Sequence, residues 1–466
     1  MPERLSPLDS SFLFMEELTT AMHVGGLMTF EAPPDGFDAE AFITLIGERL
    51  AAVPRYRQKV REVPGRLGLP VWVDDPDFDL HFHVRRSALP APGGPEQLRD
   101  LVGRLQGRQL DRSRPLWEIY LVEGLADGGF AVITKTHHAM VDGLSSIDIG
   151  AVLLDVTPQP RESEPDDWRP RPEPSALELI ASAVTEQLRR PQSAIGNLRR
   201  AVTDARTVAM NVAQTAGALV AYARNASGTA PSNPLNATIS QQRLYGTSSG
   251  ELDDYKAIRK AHGGTVNDVV LAVVAGGLRR WLIHRGEPVL AGTTVRAMVP
   301  VSVRVPGGAP GSEENLGNRV SAYFVDLPVG VPDAVDRLTT ISAAMEGHKR
   351  SGSAIGATAL VGLVGLTPPT LHSLGARLSS SLSARVFNVV VTNVPGPQFP
   401  LYAVGGRMRD MFPVVPLAKG QSVSIGITSY NGGVFYGLNA DRTTMGDVDV
   451  LAAAIGESLD ELRETV

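Results

Sequence analysis

Residues 137 to 143 read His-His-Ala-Met-Val-Asp-Gly, two adjacent imidazoles with a carboxylate and a glycine close behind. A neutral imidazole is the side chain best suited to accept a proton near pH 7. Adjacent side chains point in different directions, so at most one of the pair faces a substrate. His138 is assigned that role, as a general base, and His137 is assigned to the scaffold. Asp142 and Gly143 complete the group: the glycine gives the chain room to turn, and the carboxylate lies one helical turn from His138. A lone histidine is most often structural; here the spacing points to chemistry.

The elements that must hold this group are legible around it. Gly129 to Thr136 is apolar and β-branched, which predicts a buried strand. Leu144, Ile147 and Val152 recur at helical spacing, so a helix is expected to start at Asp142-Gly143. Arg114 to Glu123 reads as the preceding strand, joined through Gly124–Gly128 in a hairpin. Met22 to Glu31 reads as a strand, and His23 within it as structural. Asp38 to Ala52 and Pro95 to Leu110 read as helices, the first with Phe42, Leu45, Ile46 and Leu50 on one face. Leu5 to Leu13 reads as a polar turn leading into an apolar segment. Leu69–Val73 and Phe78–Val84 are predicted strands. His81 and His83 would share a face of the latter, but no third ligand lies near, and no metal site is expected.

Three segments follow from this pattern: a first domain over 1–155, a connecting region over 156–238 and a second domain over 239–466. Thr157 to Pro174 has the proline and charge of a linker, and Ala176 to Arg224 reads as helices broken near Pro191. The second domain alternates strands and helices and contains a hairpin turning at Asn431-Gly-Gly433. Its Val266–Leu282 helix is apolar except for Asn267 and Asp268 at the start. Asn267, at the positive end of a helix, is the candidate donor to a developing oxyanion; its alternative role is a helix cap. Ala354 to Leu366, apolar and rich in glycine, is read as buried packing, the wall of a tunnel or a membrane contact.

Composition sets bounds. The 466 residues carry a net charge of -6, which argues against nucleic acid as the main partner. There is no cysteine, so disulfides, thiolate metal sites and a cysteine nucleophile are excluded. The opening Met1-Pro-Glu-Arg-Leu5 has no basic run before an apolar one, so no signal peptide is expected. Apolar runs fall short of a membrane span. Gly246-Thr-Ser-Ser-Gly250 matches the serine hydrolase pattern, but its polar strand and acidic sequel lack the buried strand–elbow–helix setting that Ser248 would need as nucleophile.

His-His-x-x-x-Asp-Gly resembles the signature of the acyltransferase superfamily that includes chloramphenicol acetyltransferase, peptide-synthetase condensation domains and bacterial wax ester synthase/diacylglycerol acyltransferases. Leu5–Asp9, Pro115–Glu118, Val266-Asn267-Asp268, Pro300–Arg304, Asn315–Asn318 and Thr392–Pro397 follow the last of these families in order along nearly the whole chain. That resemblance implies an α/β (α+β) fold of two chloramphenicol-acetyltransferase-like domains, each a mixed sheet with helices, meeting at a channel that holds the catalytic histidine. It also points to Asn267, and to a salt bridge from Asp142 to an arginine: Arg304 first, Arg57 as runner-up. The activity it implies is O-acylation of diacylglycerol or a long-chain alcohol by acyl-CoA, a substrate, with no resident cofactor and no metal. The expected setting is cytoplasmic, with peripheral contact at a membrane or lipid inclusion. The alternatives are a condensation-type enzyme using carrier-bound acyl groups and a non-catalytic lipid-binding protein.

Overall fold

The computed structural model describes residues 2–141, 149–163, 166–189, 230–302, 320–351, 355–356 and 386–466. Asp142, Gly143, Arg304, the Asn315–Asn318 motif and nearly all of Ala354–Leu366 lie outside the described residues.

The strand ending in the histidines, Phe130–His137, is buried along its whole length because strands flank it on both sides. A strand in that position carries an unbroken run of buried side chains, which is what Phe-Ala-Val-Ile supplies. His23–Phe30 lies on one side and Trp117–Glu123 on the other, both antiparallel to it. Gly25 allows the first of these to approach: a Cβ there would sit 1.9 Å from the Thr134 carbonyl oxygen. Val84–Ala88 extends the sheet in parallel beyond Trp117–Glu123. The predicted helix at 95–110 is observed as Pro95–Gln106; it packs on this sheet and against the strand Arg243–Glu251.

The second sheet orders its strands Ile355–Gly356, Val320–Leu327, Val295–Ser302, Val389–Pro395, Val423–Tyr430, Gly433–Asp441, Arg243–Glu251. Val389–Pro395 runs parallel to both of its neighbours and the rest pair antiparallel, so this sheet is mixed, as the first is. Its core forms around Val266–His284, whose residues Val269 to Leu278 are buried without interruption. An apolar helix with no polar stripe belongs inside a core. Gly276 and Gly277 let Val448–Arg463 lie directly against it; a Cβ on Gly276 would meet the Ser458 hydroxyl at 2.0 Å.

The chain does not divide cleanly between the sheets. Gly406–Val414 leaves the second half and pairs with His23–Phe30 in the first sheet. Tyr402 and Asp155 exchange two main-chain hydrogen bonds of 2.8 Å, tying the expected end of the first domain to this crossover. The crossover strand's far end is fastened to the second sheet, through Tyr245 Oη to the Pro413 carbonyl at 2.9 Å and Ser424 Oγ to the Val415 carbonyl at 2.7 Å. Nothing local announces it: Gly-Arg-Met-Arg-Asp-Met-Phe-Pro-Val contains a proline and lacks an unbroken apolar run, and it becomes a strand by finding an edge.

Other local expectations are corrected. Leu5–Leu13 is not a turn: Pro7–Met15 is a helix, capped by Ser6, which accepts from the Asp9 N–H at 3.1 Å, with Pro7 at the first helical position where its missing N–H costs nothing. Phe78–Val84 is not a strand either. Asp79 caps a single helical turn, Leu80–His83, and only then does a strand begin, so the two histidines part: His81 is exposed and His83 is buried. His83 stacks on Trp117 with ring centroids 4.6 Å apart. The linker is strapped down, with Asp166 on Arg57, Glu173 on Arg61 and Arg171 on Asp74. The first connecting helix is observed as Ala176–Arg189.

Candidate active site

The chain leaves the first sheet between His137 and His138. The His137 N–H donates to the Leu116 carbonyl at 2.9 Å, and the His138 N–H donates to the Met22 carbonyl at 2.8 Å. A single 3-10 turn, His138–Met140, follows. Both imidazoles are thus carried by main chain that is bonded to its neighbours.

The two rings differ in setting. His137 is fully buried, and its Nδ1 accepts from the Ala139 N–H at 3.1 Å. The neutral ring therefore carries its proton on Nε2, which lies 3.8 Å from Glu16 Oε1. Burial first, then the Arg112 guanidinium and His138, hold its pKa down at about 3. Glu16 is itself pinned by Arg112 at 2.7 Å and by the Met22 N–H at 3.1 Å. His137 is thus buried within the sheet, its Nδ1 taken up by the chain's own main chain.

His138 is half-buried. Its ring stacks on Phe12 of the opening helix at 4.0 Å between centroids and 25° between planes. Nδ1 is enclosed and, among the described residues, bonds to no other residue, facing its own main chain. Burial lowers its pKa below the usual imidazole range, against a smaller opposing effect of that main-chain bond. The ring is therefore neutral at pH 7. With Nδ1 shut in, Nε2 is the nitrogen left for contact with a substrate.

A buried polar layer supports the histidine strand. His23 faces His137 across the sheet, and its Nε2–H donates to the Gln106 carbonyl at 3.0 Å. The Pro115–Glu118 motif contributes Trp117, whose Nε1–H donates to the Tyr56 carbonyl at 2.7 Å. Glu118 accepts from Tyr120 at 2.8 Å and faces Lys135 at 3.4 Å and Arg85 at 3.3 Å. These residues bond to the strand and to its neighbours.

On the second domain, Asn267 is not a cap. Thr265 takes that place: its hydroxyl accepts from the Asp268 N–H at 3.2 Å, and Asp268 accepts from the Thr265 N–H at 2.8 Å. This capping box satisfies the helix start and leaves the half-buried Asn267 side chain uncommitted to it. Asn267 Oδ1 instead accepts from Asn393 Nδ2 at 3.2 Å. Among the described residues no hydrogen bond joins Asn267 to either histidine. Their neighbourhoods are linked through the crossover: Val414 pairs with Gly25, two residues from His23, while Pro413 and Val415 lie against Gly426, which pairs with Thr392 beside Asn393.

Asp142, Gly143 and Arg304 fall outside the described residues. The runner-up partner for Asp142, Arg57, is engaged by Asp166 and lies over the Trp168 ring at 5.0 Å. Ser248 sits in the middle of the regular strand Arg243–Glu251, opposite Tyr436, with no elbow. Sequence reasoning missed Phe12, assigned only to an apolar segment, and Asn393, which stood inside the Thr392–Pro397 motif without a chemical role.

The comparisons agree with this architecture. Residues 5–270 match the model of the wax ester synthase/diacylglycerol acyltransferase catalytic domain, and residues 316–463 that of its C-terminal domain. A probable diacylglycerol O-acyltransferase of Mycobacterium tuberculosis, tgs2, is 35% identical over 468 residues, covering 99% of each chain. The solved wax ester synthase/diacylglycerol acyltransferase from Marinobacter aquaeolei VT8 is 28% identical with a TM-score of 0.71, covering 99% of each chain. The starter condensation domain of rhizomide synthetase shares the fold at 14% identity, with a TM-score of 0.57 over 99% of this chain and 94% of that one. The chain therefore belongs to the wax ester synthase/diacylglycerol acyltransferase family.

Proposed function

We propose that this O-acyltransferase moves an acyl group directly from acyl-CoA to the hydroxyl of a lipid alcohol, with His138 as general base. Diacylglycerol yields triacylglycerol, and a long-chain alcohol yields a wax ester. Nε2 of His138 takes the hydroxyl proton as the oxygen attacks the thioester carbonyl. The carbon–oxygen bond forms and the carbonyl electrons move onto oxygen, where Asn267 donates to the oxyanion. Collapse breaks the carbon–sulfur bond, and the imidazolium returns its proton to the departing thiolate. No covalent acyl-enzyme, resident cofactor or metal enters this sequence; acyl-CoA is a substrate.

The observation that carries the proposal is the state of His138. It is half-buried just past the end of a rigid strand, with Nδ1 enclosed and its pKa held below the ordinary imidazole range by burial, which favours the neutral ring. General base assistance of this kind contributes about 10²–10⁴ in rate. Asp142 is proposed to pair with Arg304, holding the histidine loop from behind. Among the described residues no helix is long and apolar enough to cross a membrane. The acceptors reside in membranes and inclusions, so peripheral contact of a cytoplasmic protein with such a surface is part of the proposal.

The test is incubation of the purified chain with labelled acyl-CoA and a panel of alcohols, following thiol release and the labelled ester. Release coupled to esterification of diacylglycerol or long-chain alcohols is expected. Ester formation only from carrier-bound acyl groups, or none with any donor, would overturn it.

A further inference from the structure

We infer that Asn393 is a positioning residue that sets the polarity of the Asn267 amide. The inference rests on the reading of Asn267 as oxyanion donor and adds what makes that reading workable. A primary amide has two ends of nearly equal size and opposite character: nitrogen donates and oxygen accepts. Rotated by half a turn, Asn267 would aim an acceptor at the developing oxyanion and repel it. Stabilisation of that charge requires a donor already oriented before reaction. Something must therefore hold the amide one way round.

Three observations assign this to Asn393. Its Nδ2 donates to Asn267 Oδ1 at 3.2 Å, which leaves the Asn267 nitrogen directed away and free to donate. The capping box of Thr265 and Asp268 occupies the groups that would otherwise draw Asn267 into the helix end. And Asn393 is carried by a strand, Val389–Pro395, paired along its length with Val423–Tyr430. Val389 and Val391 of that strand are buried in the same core as Val269 and Val270 of the asparagine helix. Alternation along a strand puts Asn393 on that same face, where it meets the helix start. A donor amide on a rigid element is thus placed against the acceptor end of Asn267.

The experiment is steady-state kinetics of the intact chain with acyl-CoA and a lipid alcohol, comparing Asn267→Ala, Asn393→Asp, Asn393→Leu and the double variants. A carboxylate at 393 can only accept, so it draws in the Asn267 nitrogen and turns its oxygen outward. Asn393→Asp should lower kcat about 10²-fold or more, the usual loss on removing an oxyanion donor, with KM for acyl-CoA changed far less. Asn393→Leu removes the orientation without reversing it, and its kcat should fall between wild type and Asn393→Asp. On an Asn267→Ala background either change should add less than about 3-fold, because a residue acting through Asn267 has nothing left to orient. Should Asn393→Asp fail to fold, the leucine cycle alone decides. Near-wild-type kcat in the folded 393 variants, or losses that multiply with Asn267→Ala, would overturn the inference. If Asn267→Ala is itself as fast as wild type, the oxyanion reading fails first; if it is slow and the 393 variants are not, only the role of Asn393 fails.

Discussion

The histidine corner of the first domain and the asparagine corner of the second hold their polar groups by different means. His138 is placed by main chain: its own N–H is bonded to Met22 and its predecessor's to Leu116, and Phe12 covers the ring. Asn267 is placed by one side-chain hydrogen bond from Asn393, at a helix start whose capping is handled by other residues. A base must be neutral at working pH, which burial favours by lowering its pKa, and must keep one nitrogen open to its substrate. An oxyanion donor needs a defined polarity, which enclosure does not provide and a partner amide does. Single substitutions around His138 should therefore act through burial and pKa, and those around Asn267 through orientation.

The largest expected effect separates the two histidines. His138→Ala should lower turnover by about 10²–10⁴-fold with the melting temperature little changed. His137→Ala strands the buried Ala139 N–H, and loss of such a bond costs about 1–3 kcal/mol, so it should act first on stability. The pH dependence carries the same distinction. The pKa of His137 is about 3 in the folded chain, below its unfolded value of about 6.5. Between these values the unfolded chain binds more protons, so stability should fall as pH drops through that window, and His137→Ala should flatten part of the slope. Thiol-release kinetics and thermal melts check both; a slow His137 variant beside an active His138 variant would reverse the assignment.

Next comes the proposed link between the corners. Asp142→Asn should destabilise by about 3–5 kcal/mol, the usual cost of orphaning a buried ion, and a double-mutant cycle with Arg304→Met should show strong coupling. Additive effects in denaturant melts would refute the pair. A smaller effect is expected from Phe12→Ala. Water admitted to the imidazole should raise its pKa toward about 6.5. Because the base works only when neutral, the acidic limb of kcat/KM should move to higher pH. An unmoved limb would show that Phe12 does not shield the ring. Smallest of all, Ser248→Ala should leave turnover unchanged, and a burst lost on this substitution would instead mark an acyl-enzyme.

Much of the architecture is legible in local pattern. The buried histidine strand, the apolar helix at 266, the hairpin at Asn431–Gly433 and the closing helix all have periods or turn residues that identify them without a partner. The family motifs mark Pro115–Glu118 and Thr392–Pro397 as well, though not what they do. His137 and His138 are adjacent, and alternation alone says that they part.

What the tertiary structure decided is everything that depends on a distant segment. Phe12 reaches His138 only because Ser6 and Pro7 start a helix that packs under the 3-10 turn. Asn393 meets Asn267 across 126 positions of chain. Gly406–Val414 is a strand because the edge of the first sheet is open to it, and its own residues carry too weak a period to say so. The physical reason is common to all three. Periodicity records which face of an element is buried, whereas the identity of the group waiting on that face is set by packing between elements far apart in the chain.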